Sequence, residues 1–288
     1  MPTSITLSIA DFILKIQSEN VITLEEGYLP FVVNETTDKT DVNIDCFSGI
    51  PPTPFKQEEL VFEAKNEVQK FYSIYRIGSN LGFIIYNQQL NDTVQQIAIL
   101  DETFSHWKVY SDPETDGGLL SLKYPLGPII MYYLTVNSQA VLIHASCVFD
   151  GSKGRIFTGF SGTGKSTMSK LWADAGNLII NDDRLIIRKR DNGYFVFNTP
   201  MYYNDRSKKT LLNAIHLIRH SPENIIKKQS GALAVSRVLA FCIQNNYDKI
   251  YIQNHLDFLS ELCMNVPVYE LGFVPDKSII NFVLENEI

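Results

Sequence analysis

The stretch "RIFTGFSGTGKST" (155–167) restricts this chain more than any other. Gly159, four further residues, then Gly164, Lys165 and Ser166 form the G-x-x-x-x-G-K-[ST] pattern, which carries chemistry only where a strand leads in and a helix leads out. Both flanks satisfy that condition. "RIFTGF" is apolar and β-branched, which predicts a strand. "GKSTMSKLWADA" has helical spacing, with Met168, Leu171 and Trp172 on one stripe and Gly176 placed to stop it.

The spacing has a physical reason. Gly159, Gly162 and Gly164 give the loop backbone conformations closed to other residues and allow close approach to phosphate. Successive N–H groups, with the positive end of the following helix, then form an anion cradle. Within it Lys165 reaches the β- and γ-phosphates, and the Ser166 hydroxyl is the candidate Mg²⁺ ligand. Phe160, Ser161, Thr163 and Thr167 complete the candidate nucleotide contacts. Ser161 and Thr163 read as extra donors or as neutral loop residues, and Thr167 as a loop contact or a capping, packing residue. The expected ligand is ATP or a close relative, with Mg²⁺.

Composition sets the surroundings. At 288 residues the chain is long enough for one large domain or two modest ones, and 45% hydrophobic with 20% charged residues is ordinary for a soluble globular protein. A formal charge of −7 argues against a nucleic-acid or anionic-membrane partner. Cys46, Cys147, Cys242 and Cys263 are far apart and read as buried apolar residues of a reducing compartment. "GPIIMYYLTV" is too short to span a membrane, and "MPTSITLSIADFILK" lacks the pattern of a signal peptide. A cytoplasmic protein is expected.

Along the chain the texture changes once. Short alternating or β-branched runs ("SITLSI", "YSIYRI", "GFIIYN", "QQIAIL", "HWKVYS") predict a mainly antiparallel β-layer over residues 1–118. The acidic break "SDPETDGG" (111–118) is the candidate boundary. From 119 to 288 strands and helices alternate, which predicts an α/β (α+β) domain built on a mixed sheet with flanking helices. Its expected elements are a helix in "YPLGPIIMYYLTVNSQ", strands in "AVLIHASCVF" and "NLII", and a hairpin of "RLIIRKR" and "GYFVFN" across "DNG". There follow a strand "NAIHLIRH", a helix over 231–245, a strand "DKIYI", a helix "LDFLSELCMN", a strand "VPVYELGF" and a helix "KSIINFVLEN".

Two further features bear on reaction rather than binding. Asp182 and Asp183, 17 and 18 residues beyond Lys165, end the short apolar strand "NLII". Strand carboxyl ends are where ligands sit in open α/β sheets. Adjacent strand residues point to opposite sides, so one carboxylate can hold metal while the other accepts a proton. The bland alternative is a surface turn with two solvated acids. His144 lies in the apolar strand "VLIHAS", where it reads as a core residue or as a polar group placed for a purpose. His106, His216, His220 and His255 read as structural.

Together "VLIHAS", "GRIFTGFSGTGKST" and "LIINDDRLII" resemble the catalytic domain of HPr serine kinase/phosphorylase and its smaller bacterial relatives, over roughly residues 120–288. His144 stands 15 residues before Gly159 and the Asp pair follows Lys165, as in that family, and "VPVYELGFVPD" also looks like the end of the smaller relatives. The resemblance implies that Asp183 is the proton acceptor for the substrate hydroxyl and that Asp182 helps hold the metal. It further implies that Lys165 stabilises the transferring phosphoryl group and that His144 assists beside it. The chain departs from the family where a Glu-containing E-I-R-G-L-G signature would stand; here "NTPMYYNDRSKKTLL" has no such Glu. That departure removes the basis for expecting phosphorolysis or HPr as substrate. Arg184, Arg206, Lys208 and Lys209 read as contacts to phosphate or substrate or, the plainer reading for each, as a solvated face.

The same loop and Asp pair also resemble the ATP site of phosphoenolpyruvate carboxykinases. The expectation is therefore an ATP- and Mg²⁺-dependent kinase acting on a hydroxyl, serine in the resembling family, of a protein, peptide or small molecule. The β-rich 1–118 region is the natural place to recognise that acceptor. Two other classes stay open: a nucleotide-binding sensor or accessory protein without transfer activity, and a carboxykinase-like lyase.

Overall fold

The computed structural model describes residues 3–287 apart from 35–38, 53–54, 91–92, 115–116, 192, 202–204 and 245–246. The chain divides into two compact units, Met1–Leu134 with Pro200–Arg206, and Thr135–Thr199 with Ser207–Ile288. The 118/119 break read from composition thus lies inside the first unit, and "SDPETDGG" falls partly outside the described residues.

The first unit is a β-layer, as its alternating runs predict. It contains β1 (Thr3–Ile9), β2 (Phe12–Ser18), β3 (Ile22–Thr23), β4 (Val42–Ser48), β5 (Leu60–Lys65), β6 (Lys70–Ile77), β7 (Asn80–Tyr86), β8 (Val94–Leu100), β9 (His106–Ser111) and β10 (Leu119–Leu120). Eight of these form one sheet in the order β1-β2-β4-β9-β8-β7-β6-β5, antiparallel except where β4 lies parallel to both β2 and β9. β2 shows why: Phe12, Leu14, Ile16 and Ser18 are buried while the residues between them are half-exposed, the period of two that a one-sided sheet needs. Phe83, Trp107 and Tyr133 fill the core with ring centroids 5.1–5.8 Å apart. Helix α1 (Leu126–Val136) runs across the division between the units.

The second unit holds the phosphate-loop pattern. Its strands are β11 (Ala140–Phe149), β12 (Gly154–Thr158), β13 (Leu178–Asn181), β14 (Arg184–Arg190), β15 (Gly193–Asn198), β16 (Lys209–His220), β17 (Ile225–Gln229) and β18 (Val268–Phe273). Its helices are α2 (Lys165–Asp174), α3 (Gly231–Leu239), α4 (Lys249–Asn265) and α5 (Ser278–Asn286). β11 and β16 are long enough to serve two sheets. The first half of β11 pairs with β14, and its second half with β12 and β13; β16 pairs with β15 and then with β12 and β18. Apart from His144 and the terminal Phe149, every β11 residue is buried, the near-continuous apolar run of a strand covered on both faces.

One face packs on α3 and α4 through residues such as Ile143, Ile215, Val238 and Leu259. The other packs on α2 and α5 through Phe157, Met168, Trp172, Phe273 and Val283. Each fully buried large apolar side chain contributes about 1.5–3 kcal/mol. The fold class is therefore the mixed α/β arrangement that the sequence predicts.

Three local expectations are corrected. "DKIYI" is no strand: Asp248 caps α4 by accepting the Ile250 N–H at 2.9 Å, and Tyr251, His255, Phe258, Leu259 and Leu262 form one buried helical stripe. The helix expected over 231–245 ends at Leu239. The following residues run beside β11, with the His144 N–H on Phe241 O at 2.9 Å and the Ile243 N–H on Leu142 O at 2.8 Å. Finally, β13 stops at Asn181, so the Asp pair lies in the turn before β14 rather than in the strand. Among the described residues no helix is long and apolar enough to cross a membrane. Cys46, Cys147 and Cys242 are buried, Cys263 partly so, and all are free thiols.

Candidate active site

The loop from Gly159 to Ser166 joins β12 to α2, so the strand-loop-helix setting that the sequence pattern requires is present. Gly162 and Gly164 have φ of +81° and +98°. At Gly164 space as well as conformation demands glycine, since a Cβ there would meet the Phe273 ring at 2.8 Å. Lys165 is 8% exposed and folds back on its own loop, donating from Nζ to the carbonyls of Gly159 (3.0 Å) and Phe160 (3.2 Å). Thr163 also turns onto the loop, donating Oγ1–H to Phe160 O at 2.8 Å. Ser161, Ser166 and Thr167 are exposed. Phe160 is exposed too and rests edge-to-face on Phe241, ring centroids 5.1 Å apart.

His144 sits where β11 passes from one sheet to the other. Its Cα partner is Arg184 of β14, while the next residue, Ala145, pairs with Thr158 of β12. The backbone stays satisfied through this change. His144 N–H reaches Phe241 O, and Thr158 donates its hydroxyl to His144 O at 2.8 Å. The His144 side chain, 42% exposed, therefore leaves an otherwise buried strand, and its Nδ1 lies 3.1 Å from Asp183 Oδ1.

Asp183 is held from both directions. Asn181, buried at the end of β13, accepts the backbone N–H of Asp182 (2.7 Å) and of Asp183 (3.2 Å) on its Oδ1, which fixes the turn. The Asp183 carbonyl takes the Ala145 N–H at 2.9 Å. The His144 hydrogen bond, followed by the charges of Arg184, His144 and Lys165, holds the Asp183 carboxyl below the usual aspartate range against the upward push of burial. Burial lowers the pKa of Lys165, and the negative charge of Asp183 opposes that. The loop lysine and the turn carboxylate are thus within electrostatic reach of one another.

The structure brings together His144, Asp183, Lys165 and the Gly159–Gly164 loop. Asp182 is exposed on the same turn. Among the described residues no three His, Cys, Asp or Glu side chains converge as a metal-holding group. Mg²⁺ needs no such cage, since it keeps several waters and takes one or two carboxylates plus phosphate oxygens. The hydroxyl of Ser166 and the carboxylate of Asp182 are the appropriate donor types.

Arg184, read from sequence as part of a solvated face, is 29% exposed with Nε 3.9 Å from Asp183 Oδ2. Lys208 instead donates to Ile179 O at 3.0 Å, and Lys209 lies over the Phe197 ring. Residues 202–204 of "NTPMYYNDRSKKTLL" lie outside those described. Sequence reasoning missed Asn181, Thr158 and Phe241. "NDD" carries an Asx-turn signal that would have found the first; nothing local marks the other two.

The chain was compared with known proteins. No curated protein matches it. Among solved structures it is similar to the Hpr(Ser) kinase/phosphatase from Coxiella burnetii, at 12% identity and a TM-score of 0.31, covering 50% of this chain and 94% of that one. Residues 128–229 match the sequence model of the phosphoenolpyruvate carboxykinase family, a stretch that holds β11, the phosphate loop, α2 and the Asp pair. The matched stretch is 102 of the 288 residues, about a third of the chain.

Proposed function

We propose that this chain is an ATP- and Mg²⁺-dependent kinase that transfers the γ-phosphoryl group to a hydroxyl, serine being the acceptor implied by the sequence resemblance. The observation that carries the reading is the Asp183 carboxylate, oriented by His144 at 3.1 Å and electrostatically coupled to Lys165 of the phosphate loop. Phosphoryl transfer asks little covalent work of a protein; positioning and charge supply most of the rate.

Each residue has a task on this reading. The loop backbone and Lys165 bind the phosphates, and the ammonium balances charge on the transferring group. Asp183 accepts the hydrogen bond, and then the proton, of the incoming hydroxyl. A carboxylate kept below the ordinary range is a weak base, so its main contribution is to aim the hydroxyl oxygen, with proton transfer late in a loose transition state. His144 fixes the carboxylate. Mg²⁺, held by Ser166 and Asp182, would neutralise charge on the β- and γ-phosphates. The first unit is proposed to recognise the acceptor, and the chain is proposed to work in the cytoplasm.

A second reading is favoured by the family match over 128–229: a carboxykinase-like lyase, in which the acceptor oxygen belongs to a small oxo acid. One experiment separates the two. ³¹P NMR follows ATP and Mg²⁺ with the protein and a panel of free serine, seryl peptides, HPr and oxaloacetate. The kinase reading expects a phosphoserine ester that disappears in Asp183→Asn, with rate falling about 10²–10⁴-fold while nucleotide binding persists. Product from oxaloacetate alone would favour the lyase, and undiminished turnover in Asp183→Asn would remove the proposed base.

A further inference from the structure

The carboxyl ends of β16 and β18 meet the phosphate loop through His220 and Phe273, and one contact there has no role in the chemistry above. His220, the last residue of β16, places Nε2 2.9 Å from the carbonyl oxygen of Gly162. A carbonyl only accepts, so Nε2 must carry the hydrogen and donate it. The imidazole is oriented independently of that bond. It stacks on Phe273 with ring centroids 6.0 Å apart and planes 25° from parallel, and the two residues are Cα partners across β16 and β18. Phe273 is the same ring that leaves no room for a side chain at Gly164.

The other end of the Gly162–Thr163 peptide is also tied, since the Thr163 N–H donates to Phe160 O at 3.2 Å. That peptide lies between the two residues of positive φ, Gly162 and Gly164, where the chain has the most freedom to rotate. A loop that cradles anions with backbone N–H groups works only while its peptide planes hold their orientation. Fixing them beforehand removes an ordering cost that nucleotide binding would otherwise bear.

The geometry points to His220 as a positioning residue of the phosphate loop: by donating to the Gly162 carbonyl from a ring braced on Phe273, it sets the orientation of the Gly162–Thr163 peptide for phosphate binding. The assignment rests on the phosphate-binding reading of that loop and deepens it. His220 acts through the backbone; it is not a group that touches the reacting atoms.

The test uses the full chain and calorimetric titration with Mg²⁺-ATP. His220→Phe keeps a ring to stack on Phe273 and removes the donor; His220→Gln restores a side-chain N–H of similar reach without the ring. The expected result is an affinity about tenfold weaker in His220→Phe, the factor that one net hydrogen bond supplies, and largely recovered in His220→Gln. Melting temperatures of both variants stay near that of the wild type. A bracing residue with no part in phosphate binding would give the reverse pattern, with melting temperature changed and affinity unmoved. Equal affinity in His220→Phe, or a loss that His220→Gln fails to repair, overturns the assignment. Lys165→Ala is the control for the underlying reading. If that variant binds nucleotide as tightly as the wild type, the phosphate-loop reading itself has failed; if it loses binding while His220→Phe does not, only the role of His220 has.

Discussion

The second unit contains two histidine–carboxylate pairs of almost equal spacing and opposite character. His144 Nδ1 lies 3.1 Å from Asp183, and His216 Nε2 lies 3.2 Å from Glu287. The first pair is open, with side chains 42% and 33% exposed; the second is sealed, at 0% and 5%. Charged groups and aromatic rings close in around the sealed pair. Arg155 donates to Glu287 at 2.7 Å and to Asp150 at 2.5 Å, and its guanidinium lies over the Trp172 ring. The His216 ring stacks between Phe157 and Tyr269. Burial pushes the pKa of His216 below the usual imidazole range, and the Glu287 contact opposes that.

The same two residue types therefore do different work. A buried histidine and carboxylate, closed in by aromatics and a guanidinium, tie the end of α5 to β16, and Arg155 adds β12 to the same tie. An exposed pair beside a phosphate loop can meet a substrate. Distance alone does not distinguish them; access and neighbours do.

The comparison can be broken hardest at Arg155. Replacing it with Met takes the buried guanidinium from the Glu287 side chain, 5% exposed, and from the half-buried Asp150, and removing one partner from a buried pair costs about 3–5 kcal/mol. Denaturant unfolding should record a loss of that size; a change below about 0.5 kcal/mol, ordinary for a surface site, would mean that the network contributes nothing to stability.

Glu287→Gln sharpens the contrast through pH. Burial pushes the Glu287 carboxyl up, but the His216 and Arg155 contacts outweigh it and leave the folded-state pKa lowered. The sign follows from linkage. The stabilisation is present above the unfolded glutamate value of about 4.3 and is lost as pH falls through the lower folded value. Wild type should lose stability across that acid window, and Glu287→Gln should show a flatter profile there. Identical profiles would count against the sealed pair as an acid-sensitive tie.

The smallest effect is expected at the open pair. In wild type the Asp183 carboxyl should titrate below the ordinary aspartate value of about 3.9, and in His144→Gln it should move upward toward it. Carboxyl carbon NMR reads this directly without an acceptor substrate. An unmoved titration would mean that His144 does not set the charge state of Asp183.

These two pairs also mark what sequence could deliver. The phosphate loop was legible because its spacing is dictated by the ligand, and β11, β12, α2 and the β14–β15 hairpin followed from apolar runs with clear punctuation. His144 stood out because a polar residue interrupts the apolar "VLIHAS". His216 also sits in an apolar strand, and its partner Glu287 is 71 residues away, so local pattern carried no trace of the network. "DKIYI" was misread because Ile250 and Ile252 flank Tyr251 like strand residues, although Ile250 is exposed and the buried positions recur at helical spacing. Phe241 reaches the site only because α3 ends early and its exit runs beside β11, an outcome of tertiary packing that no short window contains.

Because β11 is hydrogen-bonded to β14 over its first half and to β12 and β13 over its second, its register is locked by three neighbours at once. A slip of one residue would send every side chain of the strand to the opposite face, burying the imidazole and presenting Ile143 or Ala145 to Asp183. Such a slip would have to break ladders in two sheets together. The geometry of the open pair is thus protected by a digital constraint, the integer count of residues in one strand. A single-residue insertion between Ala140 and His144 would erase the open pair more completely than any substitution at either of its members.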